Sequence, residues 1–145
     1  MLYKHFGSME DIVEAVALEG FGELAGTLRA ARRDSAAPGD EIGRVAAAFN
    51  DFAAKSPALY DAMFTRSTRL HFGAQDTPAP PAEAFSELRE AVATVTATSD
   101  IDSLTEVIWA ALHGLVVLGR NGRLRPGHAV ARIEILLAHF RAARS

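Results

Sequence analysis

The sequence predicts an all-α protein, and three observations carry that prediction. Apolar residues recur at three- and four-residue steps along most of the chain, the signature of helices with one buried face. Residues that start and stop helices punctuate these runs at suitable intervals. Strict alternation of apolar and polar residues, the mark of half-buried strands, is hard to find. A bundle of about six to seven helices is expected.

The first element is the fragment Leu2-Tyr3-Lys4-His5-Phe6, stopped by Gly7. Ser8 then reads as an N-cap, with Asp11 three residues on as its acidic first-turn partner. The helix it opens runs to about Arg33 on Val13, Val16, Phe21, Leu24 and Leu28. Arg29, Arg32 and Arg33 close it, at the negative end of the helix dipole. Asp34 to Gly39 is a break, and Asp40 can cap a second helix. Its stripe is Ile42, Val45, Ala46, Phe49, Phe52 and Ala53. Ser56-Pro57 sets an N-cap before a proline at the first helical position, opening a helix with Tyr60, Met63 and Phe64.

Gly73 to Pro81 holds three of the six prolines without apolar periodicity and reads as the one long loop. A helix resumes near Ala82 with Phe85, Leu88, Val92 and Val95. Asp100 or Ser103 caps the next one, and Ser103 with Glu106 fits a capping box. This helix, to about Gly119, is apolar nearly all round: Leu104, Val107, Ile108, Trp109, Leu112, Leu115, Val116 and Leu118. It is expected to be covered on every side, by its own chain or by a second copy. A basic turn from Arg120 to Gly127 leads to the last helix, whose apolar residues are Val130, Ile133, Leu136, Leu137 and Phe140.

Composition narrows the function. A chain of 145 residues suits one domain. Its formal net charge of −3 argues against a phosphate-neutralising surface over most of it. It has no cysteine, which excludes disulfides, thiol catalysis and thiolate metal sites, and fits a cytoplasmic protein. Val107 to Gly119 is the longest uncharged apolar run and is too short to span a bilayer, so no membrane partner is expected. Lys4, His5, Glu10 and Asp11 precede any apolar stretch, unlike a signal peptide. His71, His128 and His139 form no i, i+4 pair, so neither metal nor cofactor is expected. No Gly-rich phosphate loop or Gly-x-Ser-x-Gly elbow occurs, and the chain does not read as an enzyme.

The stretch Leu2-Tyr3-Lys4-His5-Phe6-Gly7-Ser8-Met9-Glu10-Asp11-Ile12 resembles the junction of TetR-family regulators. There a recognition helix ends in Leu-Tyr-x-His-Phe and the next helix opens with Ser-Lys-Glu-x-Leu. Met9 stands where that family usually has lysine. Trp109-Ala110-Ala111-Leu112-His113-Gly114, with Leu115 to Arg123, is similar to the Trp-His-Gly segment of one TetR C-terminal subfamily.

The resemblance implies two parts. Residues 1–7 would be the remnant of the recognition helix of a helix-turn-helix domain, and residues 8–145 an effector-binding and dimerisation domain. Tyr3 and His5 would contact DNA phosphates in the intact protein. Roughly 40 further residues upstream would supply two helices and most of the recognition helix, so operator DNA is expected as a partner only of the full-length protein. The function implied is that of a transcriptional regulator, a repressor, with this chain as its sensing and dimerising body.

The resemblance also implies a cavity for a small apolar effector, with Phe49, Phe52, Tyr60, Met63, Phe64, Trp109 and His113 as its lining. Each of these equally reads as ordinary core. His113 is the sole strongly polar side chain between Val107 and Leu118 and faces the same way as Trp109. It can anchor an effector, act as a protonation switch, or bond a backbone carbonyl or a partner chain. Leu112, Val116, Ile133, Leu136, Leu137 and Phe140 are the expected homodimer interface, where two helices from each chain would form a four-helix contact. Two other functions compete: a helical dimerisation module without a small-molecule site, and a small helical enzyme built on His113 and Tyr60.

Overall fold

In a computed structural model the chain is described over residues 7–34, 40–66 and 77–144, with side chains to residue 140. Tyr3 and His5 lie outside the described residues, as do His71 and the first part of the expected long loop. The elements are α1 (Met9–Arg33), α2 (Glu41–Lys55), α3 (Pro57–Asp61), α4 (Ala79–Ala93), α5 (Ile101–Arg120) and α6 (Ala129–Arg144). Helix α3 continues directly into a π-helical turn, Ala62–Arg66. The protein is all-α, as its periodicity predicts, and no strand occurs among the described residues.

Helix α1 starts where its cap dictates. Ser8 Oγ accepts a hydrogen bond from the Asp11 amide at 3.2 Å, and Asp11 Oδ2 accepts one from the Gly7 amide at 3.0 Å. Its buried face is Ala17, Gly20, Phe21, Leu24, Ala25 and Leu28. Val16, which the periodicity places on that face, is exposed, and Val13 is half-buried. Small residues take the buried positions instead, because the π turn presses on α1 there. A Cβ added to Gly20 would lie 2.6 Å from Met63 Sδ and 2.9 Å from Leu59 Cδ1.

Helix α1 packs most extensively on α4, then on α2 and the π turn. Across the first of these contacts sits Glu87 of α4, buried, accepting from Arg29 Nε at 2.9 Å and Arg32 Nε at 3.0 Å. Two of the arginines that read as dipole partners are thus a tertiary clamp. Arg44 Nε donates to the Ala31 carbonyl at 3.0 Å and ties α2 to the same end of α1.

One helix start differs from expectation, and another falls on one of the two expected caps. Helix α4 begins at Ala79, so Pro80 and Pro81 sit in its first turn, where a missing N–H loses no helical bond. Of the two caps expected for α5, Asp100 is the one used, with Oδ1 accepting from the Ser103 amide at 3.2 Å. The earlier start brings Ile101 and Leu104 onto the core. Arg89 and Asp102 pair at 2.6 Å and hold α4 against this end of α5.

Helix α5 is long and apolar enough to cross a membrane by length and composition, with a mean hydropathy of 1.5. Asp102 and Glu106 interrupt its apolar residues, so the uncharged run proper begins only at Val107. In the fold, one stripe of α5 explains part of this hydropathy: Thr105, Ile108 and Leu112 are buried against neighbouring helices. The opposite side is open, with Val107 56% and Leu118 46% exposed. Helix α6 sends Ile133 and Leu137 to the core and leaves Val130 and Ile135 outside.

The glycines of α1 give a test of this packing. Gly22 and Gly26 are exposed, with nothing within 4 Å of an added Cβ. Gly22→Ala and Gly26→Ala are predicted to raise stability by about 0.5–1 kcal/mol each, the helix-propensity difference. Gly20→Ala is predicted to lower stability, because overpacking of about 1–3 kcal/mol exceeds that gain. Denaturant midpoints of the three variants check the sign at each position.

Candidate functional site

Aromatic rings from three segments converge beside α1. Tyr60 of α3 is fully buried, and its ring centroid is 4.5 Å from that of Phe64 in the π turn. Phe49 of α2 meets Tyr60 edge-on at 6.0 Å, Phe64 at 6.4 Å and Trp109 at 6.4 Å. Phe64 also meets Trp109 at 6.1 Å and His113 at 5.0 Å. These are the offset and edge-to-face contacts that aromatic quadrupoles favour.

Five of the seven expected lining residues therefore form one ring network: Phe49, Tyr60, Phe64, Trp109 and His113. Phe52 and Met63 are buried in the same hydrophobic core, Met63 against Gly20. Three neighbours go beyond those that the sequence singles out. Phe21 of α1 meets Phe64 edge-on at 5.1 Å, and Phe85 of α4 meets Trp109 at 5.7 Å. Arg120 places its guanidinium carbon 5.5 Å from the Tyr60 ring centroid and donates to the Pro57 carbonyl at 2.5 Å. A signal for Arg120 exists: it lies seven residues after His113, two turns on along one face of α5.

The polar centre is a pair. The Tyr60 hydroxyl lies 2.7 Å from His113 Nδ1. Burial pushes the Tyr60 pKa far above the usual phenol range, and nearby Arg120 only partly opposes this. Burial also lowers the His113 pKa, and the Arg120 guanidinium lowers it further. Both groups are then neutral at neutral pH. A buried phenol must donate its proton, and among the described residues His113 Nδ1 is its acceptor. Hydrogen-bond logic therefore assigns the remaining imidazole proton to Nε2.

The expected interface residues divide. Leu112, Ile133 and Leu137 are buried inside the protomer. Val116 is half-buried and packed on the core. Leu136 and Phe140 line an open groove of about 570 Å³ between α5 and α6, with Leu115, Leu118 and Ile135. The apolar stripes of both helices are wide. Their centres close the protomer and their edges remain open. A second groove, about 790 Å³, lies between α2 and α6 and is mixed in character, with Arg44, Asp51 and Glu134 among its lining. Among the described residues, no three His, Asp or Glu side chains converge as a metal site would require.

The fold defines a class first: a helical bundle with an interior aromatic cluster and an open, apolar two-helix face. A family model described as the tetracyclin repressor-like, C-terminal domain matches residues 42–140, from α2 to α6. The chain belongs to that family, one of transcriptional regulators. Among solved structures, a protein of unknown function from Rhodococcus sp. RHA1 has the same fold, with a TM-score of 0.80 at 18% identity. The match covers 98% of this chain and 77% of that one. A comparison with curated proteins found no match.

The Tyr60–His113 pair predicts a pH dependence of stability. The His113 pKa is lower folded than unfolded, so the unfolded chain binds more protons as pH falls below about 6.5. The stabilisation from neutral His113 is complete above that pH and is lost progressively below it. The melting temperature of His113→Gln, which keeps an acceptor for Tyr60 but does not titrate, is predicted to fall less between pH 7.5 and pH 5. Equal falls in the two proteins would show that His113 does not titrate differently on folding.

Proposed function

We propose that this chain is the effector-sensing and dimerising body of a TetR-type transcriptional repressor. It acts in the cytoplasm as a binding protein rather than a catalyst. Operator DNA is contacted through a helix-turn-helix domain of which residues 1–7 are the last part, with Tyr3 and His5 on phosphates. The effector occupies the region of Phe49, Phe52, Tyr60, Met63, Phe64, Trp109 and His113.

One observation carries this reading. The ring network touches α1 directly, through Phe64 against Phe21 at 5.1 Å. Helix α1 begins at Met9 behind its Ser8 cap, just after the residues that resemble the end of a recognition helix. A ligand that moves Phe64 therefore acts on the element that leads to the DNA-reading head. Differential affinity for two positions of α1 is all that an allosteric repressor requires. The rings are already in contact with one another, so an effector lies along the cluster or displaces a ring.

Homodimerisation is the second part of the proposal. The open face combines the α5–α6 groove with exposed Val107, Leu118 and Ile135. A second copy presenting the same face would cover both, as a two-fold isologous contact does. The interface is then Leu136, Phe140 and Val116 together with Leu115, Leu118 and Ile135, while Leu112, Ile133 and Leu137 support it from within.

Sedimentation and native mass spectrometry of one purified sample test both parts. The expected result is a dimer carrying a co-purified small molecule, or one whose melting point rises with a lipophilic binder. A dimer that no compound stabilises leaves a dimerisation module without a sensor site. A monomer removes the interface. Leu118→Glu is predicted to convert the dimer to a folded monomer, whereas Leu112→Glu is predicted to unfold the protomer.

A further inference from the structure

The chemistry at the edge of the ring network indicates which ligands it takes; this inference rests on reading that network as an effector site. Tyr60 donates its only proton to His113 Nδ1 across 2.7 Å. The imidazole then presents Nε2–H, a donor, and among the described residues no side chain accepts it. His113 is half-buried, stacked at 27° to Tyr60 and tilted at 41° to Phe64. Its donor therefore stands beside aromatic surface.

Arg120 adds a full charge at the same place. Its guanidinium lies over the Tyr60 ring, and it bonds the Pro57 carbonyl. Among the described residues no carboxylate pairs with it. The site thus has an apolar, ring-rich body and a polar edge made of donors and positive charge. Such an edge completes its hydrogen bonds with an acceptor and repels a cation.

We infer that the effector is an aromatic acid: its ring lies on the Phe64–Trp109 surface, and its carboxylate accepts from His113 Nε2–H in the field of Arg120. An amide carbonyl can use the His113 donor but gains little from Arg120. An ammonium group can use neither. A charge-assisted hydrogen bond of this kind contributes roughly tenfold or more in affinity.

Three ligands of one shape test this: 4-tert-butylbenzoate, 4-tert-butylbenzamide and 4-tert-butylbenzylamine. Binding to the whole chain is followed by calorimetry and by the fluorescence of Trp109, the sole tryptophan. The expected order is benzoate, then benzamide, then benzylamine, with roughly tenfold or more between first and last. His113→Phe is expected to weaken benzoate and benzamide alike, about tenfold. Arg120→Gln, at an exposed position, should weaken benzoate selectively and reduce its advantage over benzamide. Thermal melts establish that both variants are folded. Equal binding of all three ligands, or tightest binding of the amine, overturns the donor-edge inference and leaves the effector site standing. Unchanged benzoate affinity in both variants does the same. No binding of any of the three to the wild-type chain overturns the effector site as well.

Discussion

The approach of the aromatic cluster to α1 depends on one missing side chain. Gly20 has no Cβ where Met63 and Leu59 press on α1. That absence lets the α3–π segment, which carries Tyr60 and Phe64, lie against α1. Tyr60 becomes fully buried, and Phe64 reaches Phe21 on one side and Trp109 on the other. Helix α5, packed on α4 and α2, brings His113 to the Tyr60 hydroxyl and Arg120 to the Pro57 carbonyl. Helix α1 sacrifices some intrinsic helix stability at Gly20 to gain this approach.

The two ends of α1 are held differently. Its C-terminal end is fixed by Arg29 and Arg32 on Glu87, and by Arg44 on the Ala31 carbonyl. A buried carboxylate with two partly exposed arginines specifies register more than it adds stability, since desolvation offsets much of the attraction. Its N-terminal end has a local cap, in which Ser8 and Asp11 satisfy amides of the first turn. A helix clamped at one end, with an aromatic contact midway, is mechanically suited to transmit a small displacement of Phe64 to its other end.

Much of this is legible in the residues. The α2 stripe Ile42, Val45, Ala46, Phe49, Phe52 and Ala53 is buried residue for residue, because an amphipathic helix on a core has only one apolar side to offer. The Ser8 cap is legible because capping is a contact between residues three apart. Features that depend on distant contacts are not. The buried face of α1 uses Ala17 and Gly20 where local hydrophobicity favours Val13 and Val16, since the close neighbour comes from residue 63. For the same reason the bond between Tyr60 and His113, 53 residues apart, is hidden, although both residues stand out as candidates. On α5 and α6 the stripes are so wide that periodicity does not say which edge closes the protomer.

The π turn at Ala62–Arg66 bears on how this chain can vary through evolution. Insertions and deletions are usually absorbed in connecting segments, where a change of length leaves packed faces undisturbed. Here the irregular turn packs its first residues into the core, with Met63 and Phe64 placed by its particular register. One residue more or less would rotate the residues beyond it by about 100° relative to Tyr60. Phe64 would then leave Trp109 and Phe21, and the link between the aromatic cluster and α1 would be cut without the loss of a single aromatic residue. Length at this turn is therefore under as much constraint as residue identity, and lineages that keep the rings must also keep their spacing.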